Sequence, residues 1–183
     1  MQNVLSILVQ NQPGVLVRVA GMFSRRGFNI DSLTVGETQE AGFSRMTVAV
    51  RGNQAFVNQV VKQVSKLEEV VTVQVLPPQT SVTRGMGLIK VTAGDKRAEI
   101  FKLADIFRAA VVDVSGSTVT MEITGDEDKI NALLEVLNPY GVLEFIRTGL
   151  IGLARGENTI YAYQQENEIE NEESDNNGKE NVL

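Results

Sequence analysis

Residues 4–35, VLSILVQNQPGVLVRVAGMFSRRGFNIDSLTV, change their apolar period twice, and that change constrains what the chain can fold into. Over residues 4–10, Leu5, Ile7 and Val9 alternate with their neighbours, the period-two signature of a strand. Asn11-Gln12-Pro13-Gly14 then supplies a run of turn-forming residues. From Val15 the period lengthens to that of a helix, with Val15, Val19, Met22 and Phe23 on one stripe and Arg18, Arg25 and Arg26 off it. Gly27 follows the last periodic residue, where a left-handed helix C-cap is expected. Residues 29–37 are extended again. The turn at 11–14 therefore feeds a helix start. Free backbone N–H groups and the positive end of the helix dipole favour a carboxylate or phosphate there. We expect the functional site at this turn.

The rest of the chain extends the pattern. Residues 43–51 alternate, with Met46, Val48 and Val50 on one side. Asn53 is placed to N-cap a helix whose stripe is Phe56, Val57, Val60, Val61, Val64 and Leu67. Residues 70–76 read as a strand with Val71, Val73 and Val75 on one side. The order is β-α-β-β-α-β, the ferredoxin-like motif, predicted for residues 1–76. Pro77-Pro78-Gln79 breaks this unit, and residues 77–81 are read as a linker. The order then repeats over residues 82–163. A strand is expected at 88–92, a helix capped by Asp95 and carrying Ile100, Leu103 and Phe107, and strands at 111–114 and around Val119, Met121 and Ile123. A helix capped by Asp126 carries Ile130, Leu133, Leu134 and Leu137, and residues 142–148 form the last strand of the motif. Residues 150–155 and 159–163 are expected as an added edge segment. The predicted class is α+β, two tandem ferredoxin-like domains followed by an acidic tail at 164–183 whose composition predicts disorder.

Composition narrows the chemistry. The 183 residues contain no Cys and no His, which removes disulfides, thiol catalysis, the usual general base near neutral pH and the commonest metal ligand. Of 23 acids and 17 bases, seven acids and one base lie beyond Tyr163, so 16 of each remain and the body is neutral. A neutral body with few aromatics argues against nucleic acid as the main partner. No apolar run reaches the roughly 18 residues of a membrane span. Met1-Gln2-Asn3 carries no basic segment, so no secretory leader is expected and a cytoplasmic location is the first reading.

Each candidate site has an ordinary structural explanation beside it. Residues 11–16 have the spacing of any strand-to-helix turn. The functional reading adds the amides of Gly14, Val15 and Leu16, room for a ligand against Gly14, and Asn11 and Asn29, read as lying at the same end of adjacent elements. Ser24-Arg25-Arg26-Gly27 places cations in a last helical turn, where they complement the dipole. Asp126-Glu127-Asp128 places acids in a first turn for the same reason, and is not read as a metal site. Thr83-Arg84-Gly85-Met86-Gly87 lacks the Lys-Ser/Thr of a phosphate loop.

Several blocks are similar to one family. Asn11-Gln12-Pro13-Gly14-Val15-Leu16, Phe23-Ser24-Arg25-Arg26-Gly27-Phe28-Asn29-Ile30, Ser32-Leu33-Thr34-Val35 and Ser44-Arg45-Met46-Thr47 resemble the ACT domain of the acetolactate (acetohydroxyacid) synthase small subunit. Leu88-Ile89-Lys90-Val91 and Arg147-Thr148-Gly149 with Ala154-Arg155-Gly156 continue the resemblance, which runs from about Asn3 to Gly156. It implies a regulatory subunit in branched-chain amino-acid biosynthesis, not an enzyme. Such a subunit activates the catalytic subunit and confers feedback inhibition by valine, or by leucine or isoleucine, bound where two ACT domains pair as a homodimer. It implies no cofactor for this chain; thiamine diphosphate, FAD and Mg²⁺ belong to the catalytic subunit. Carried over by position, the effector site comprises Asn11, Gly14, Val15 and Leu16 of one copy with Asn29 and Ile30 of the other. A stand-alone ACT-type amino-acid sensor acting on another partner is the alternative, and a plastid stroma the alternative compartment.

Overall fold

The computed structural model describes residues 2–163; the expected disordered tail at 164–183 lies outside them. The chain opens with β1 (Gln2–Gln10), α1 (Val15–Arg25), β2 (Ser32–Glu37), β3 (Phe43–Arg51), α2 (Gln54–Val64) and β4 (Val70–Leu76). These strands form one antiparallel sheet in the order β2-β3-β1-β4. The same order of elements returns as β5 (Ser81–Thr92), α3 (Arg97–Phe107), β6 (Ala110–Val114), β7 (Thr118–Gly125), α4 (Glu127–Leu137) and β8 (Val142–Arg147), with the sheet order β6-β7-β5-β8. A short β9 (Ile151–Ala154) pairs with β5 off that path. Both are ferredoxin-like βαββαβ arrangements.

The helix-side core of the first unit follows the sequence periods. Leu5, Ile7 and Val9 of β1, Val19 and Phe23 of α1, Met46, Val48 and Val50 of β3, and Val57, Val60 and Val64 of α2 are all buried together. Each such apolar side chain stabilises the fold by about 1.5–3 kcal/mol relative to exposure. In the second unit Ile89, Val91, Ile100, Val119, Met121, Ile123, Leu133 and Leu137 play the same part.

Local signals explain the helix ends. Asn53 caps α2 by accepting the Phe56 N–H at 2.9 Å, and Asp126 caps α4 by accepting the Lys129 N–H at 2.8 Å. Gly27, at φ +67°, closes α1 in a Schellman arrangement: its N–H donates to Ser24 O at 3.1 Å and the Phe28 N–H to Phe23 O at 2.9 Å. The Phe23 and Phe28 rings add the apolar contact of that motif, edge to face at 6.3 Å.

Three expectations are corrected. The strand expected at 88–92 begins at Ser81, so the linker shortens to a turn in which the Thr80 N–H and the Ser81 hydroxyl both donate to Pro77 O. Gly85 and Gly87 continue the buried face of Ile89 and Val91, and a Cβ on Gly87 would lie 3.2 Å from Phe145 and 3.3 Å from Ile130. Asp95 does not cap α3; it lies inside a 3₁₀ turn, and no side chain caps that helix. Residues 159–163 are no edge strand. Thr159 accepts the Ala162 N–H on its hydroxyl at 3.0 Å and a helical turn starts at Ile160. Among the described residues, 152–163 group with the residues up to Val82, and Thr83–Ile151 make a second compact unit.

That return explains an unexpected burial. Val4, Ser6 and Leu8 point away from the helices, yet they are 8%, 0% and 1% exposed, so β1 is covered on both faces. Ile160, in the returning segment, is itself buried, and Arg155 holds the segment in place through its N–H to Thr80 O and its Nε to Ser81 O.

The close approach at Gly87 yields a stability prediction. Gly87→Val forces Phe145, Ile130 and Ile123 apart, and such overpacking costs about 1–3 kcal/mol. At Gly85 a Cβ would sit at an ordinary 3.7 Å from Ile130, so Gly85→Ala should cost far less. Urea unfolding of the two variants checks this through their midpoints.

Candidate effector site

The turn after β1 is built from the sequence Gln12-Pro13-Gly14-Val15. Proline presets its own φ, and Gly14 adopts φ +88°, ψ −12°, a combination open to Gly at little cost. These angles define a type II turn, closed by the Val15 N–H donating to Gln12 O at 3.4 Å. Gly14 then serves as the N-cap of α1, with no side-chain cap. Its carbonyl accepts the Arg18 N–H at 3.0 Å, the first bond of the helix.

The amides divide accordingly. The sequence offers Val15 as a third free donor; its N–H closes the turn instead, and its side chain is buried in the core. The amides of Gly14 and Leu16 find no acceptor among the described residues. A Cβ at Gly14 would meet nothing within 4 Å, so open space lies over the turn. Leu16 is 43% exposed and Val17 73%, an apolar rim beside these donors.

Asn11 is anchored beside the turn. Its N–H donates to Gly42 O at 2.7 Å and its Nδ2 to Glu37 Oε1 at 3.0 Å, tying the turn to the end of β2. Arg18 reaches back to the buried Glu69 as an ion pair, which fixes the first turn of α1 against the start of β4. Arg18 lies off the apolar stripe in the sequence, and Glu69 is marked only as a carboxylate next to a strand of alternating Val.

Asn29 and Ile30 are elsewhere. They follow the C-terminal end of α1, with Asn29 Nδ2 donating to Asp31 Oδ1 at 3.3 Å and Arg51 pairing with Asp31 at 2.9 Å. Ile30 packs against the edge of the core. The Asp31 N–H donates to Ala49 O, whereas Glu37 pairs with Ser44. Asn11 and Asn29 thus lie at opposite ends of the sheet, separated by five or six strand residues, roughly 20 Å. The same-end placement expected from sequence is overturned because α1 carries the chain the length of the sheet before β2 begins. Within one chain the six residues do not converge.

The other clusters are occupied structurally. Asp126 is spent on its helix cap and Glu127 pairs with Arg147 at 3.4 Å. Among the described residues no group of three acids could hold a metal ion.

A sheet with an exposed edge, a glycine-capped helix start facing open space and a repeated βαββαβ order are those of a ferredoxin-like binding protein. Residues 5–72 match a family described as the AHAS small subunit-like ACT domain, and residues 84–156 match the small subunit of acetolactate synthase. A probable acetolactate synthase small subunit from Archaeoglobus fulgidus is 48% identical over 157 residues, covering 85% of this chain and 98% of the relative. The acetolactate synthase small subunit of Aquifex aeolicus is 44% identical, covering 84% and 81%. The crystal structure of the small subunit from Thermotoga maritima superposes with a TM-score of 0.82 at 41% identity, over 86% of this chain and 99% of that one. The chain belongs to the acetolactate synthase small-subunit family. It is a regulatory subunit of an enzyme rather than an enzyme.

Proposed function

We propose that this chain pairs with a second copy, activates the catalytic subunit of acetolactate synthase and makes it sensitive to valine or a related branched-chain amino acid held between the two copies. One observation carries the reading: Asn11 and Gly14 stand at one end of the edge strand β2, Asn29 and Ile30 at the other. Two β2 edges that pair antiparallel about a twofold axis bring the Asn29 end of one copy beside the Gly14 end of its partner, twice. The edge suits pairing. Among the described strands β2 stands at the end of the sheet order beside β3, and Val35 is 41% exposed on it. Each composite site then offers the Gly14 and Leu16 amides for a carboxylate, the Leu16 and Val17 rim for an aliphatic side chain, and the oxygens of Asn29 and Asp31 for an ammonium. A helix N-terminus favours such an anion by about 0.3–1 kcal/mol, and up to ~2 when partly buried. Thiamine diphosphate, FAD and Mg²⁺ remain with the catalytic subunit.

Reconstitution tests this. The purified chain alone should form no acetolactate from pyruvate, and adding it to the catalytic subunit should raise turnover and introduce inhibition by valine. Unchanged turnover and no valine response, with the two proteins co-purifying, would contradict the reading.

A further inference from the structure

On the sheet face opposite the helices, the returning segment leaves a cavity of about 250 Å³ lined by Gln39, Arg45, Leu153, Asn158, Ile160 and Tyr161. Arg45 rises into it from β3 and is half-buried. Its Nε donates to Ser6 Oγ at 2.7 Å, and Ser6 is completely buried. That bond fixes the plane of the guanidinium. Its two Nη groups make no hydrogen bond or ion pair among the described residues.

The surroundings of this cation are unusual. No Asp or Glu lines the cavity. Burial pushes the Arg45 guanidinium below its ordinary value, and the Tyr161 phenol opposes this weakly; no described carboxylate acts on it. Buried charges are normally paired, because desolvation is expensive without a counterion. A guanidinium with one edge satisfied and the other facing an open cavity is a fork-shaped receptor for a planar anion. Asn158 and Gln39 line the same cavity, and Leu153, Ile160 and Tyr161 add apolar surface to it.

We propose that this cavity is a second small-molecule site, separate from the Gly14 turn, and that it takes a carboxylate on a compact apolar body. The carboxylate engages the Arg45 Nη groups and the body lies against Ile160 and Tyr161. Arg45 and Ser6 come from the sheet, whereas the opposite wall comes from the segment beginning at Gly152. Occupancy therefore ties that segment to the sheet.

Benzoate and its uncharged isostere benzamide are the probes, followed by amide NMR of the full chain. Benzoate should give saturable shifts at Ser6, Arg45 and Thr159–Tyr161, and benzamide should not. Arg45→Gln should weaken benzoate about tenfold or more, the loss of a charge-assisted pair, with Arg45→Lys intermediate. Unshifted core amides in both variants establish that they fold. Gly14→Asp should leave benzoate binding unchanged, which separates this site from the proposed effector site. A full-length variant with the seven carboxylates of residues 164–183 changed to amides identifies the source of the anion. Benzoate binding in that variant alone would mean that the chain's own carboxylates fill the cavity, and would overturn the small-molecule assignment. Equal responses to benzoate and benzamide, an unchanged affinity in Arg45→Gln, or no saturable shift in either full-length form would overturn the proposal.

Discussion

Gly14→Asp should leave activation of the catalytic subunit intact while weakening valine inhibition at least about a hundredfold. The expected loss follows from charge. The aspartate would stand at the N-cap of α1, beside the Gly14 and Leu16 amides proposed to receive the effector carboxylate. A like charge in such an interface costs several kcal/mol, and about 1.4 kcal/mol is tenfold in affinity. Backbone strain is the competing explanation, since Gly14 sits at φ +88°. Alanine experiences that strain without the charge, and Asp tolerates the left-handed region better than most residues. A Cβ there touches nothing within 4 Å, so bulk contributes little. Valine titration of the reconstituted enzyme with wild type, Gly14→Ala and Gly14→Asp separates the two. Strain predicts the alanine variant is at least as damaged; charge predicts that only the aspartate variant ignores valine. Wild-type inhibition in Gly14→Asp would remove the effector from this turn.

Phe23→Ala should cost the fold about 3–5 kcal/mol, a large share of the ~5–15 kcal/mol that holds a domain of ordinary stability together. Phe23 is 1% exposed and its ring meets Phe28 edge to face, and Phe28 in turn meets Phe56 at 5.1 Å. The substitution opens a cavity between both helices and removes the apolar contact that closes the end of α1. Phe23→Leu keeps most of the volume and should lose much less. Thermal and urea unfolding followed by circular dichroism measure both. A loss for Phe23→Ala below about 1 kcal/mol, the scale of a surface change, would show that the site collapses around the gap.

The order of elements was legible because nearly every strand and helix carries its own period. Leu5, Ile7 and Val9 alternate, and the Val57, Val60 and Val64 stripe needs no partner to be seen. The first half of β5 was not legible, because Gly85 and Gly87 have no side chain with which to mark a buried face. Their burial is decided by Ile130 and Phe145, which arrive later in the chain. The burial of Ser6 and Leu8, on the face of β1 opposite Leu5, Ile7 and Val9, was not legible either, because the segment that completes this unit lies at the far end of the described residues. Asp95 has the right chemistry for a cap, but the 3₁₀ turn through Gly94 absorbs it before α3 begins. The same division holds at the candidate site. Pro13-Gly14 announces its turn locally. The position of Asn29 depends on where α1 delivers the chain, and that separates it from Asn11 by the length of the sheet.

The return of the chain after Ile151 has a consequence for synthesis. The helix-side core of the first unit is complete once residues up to about Val73 have left the ribosome, but the opposite face waits for Gly152 and beyond. Between them comes the whole of Thr83–Ile151, 69 residues that make a continuous unit of their own. At about 5–20 residues per second, translation separates the two events by roughly 3–14 s. During that interval Val4 and Leu8 lack part of their final cover, while the later-made unit is free to close first. The first unit to begin folding is thus the last to finish, and a stop codon shortly after Arg147 would strand it half-built.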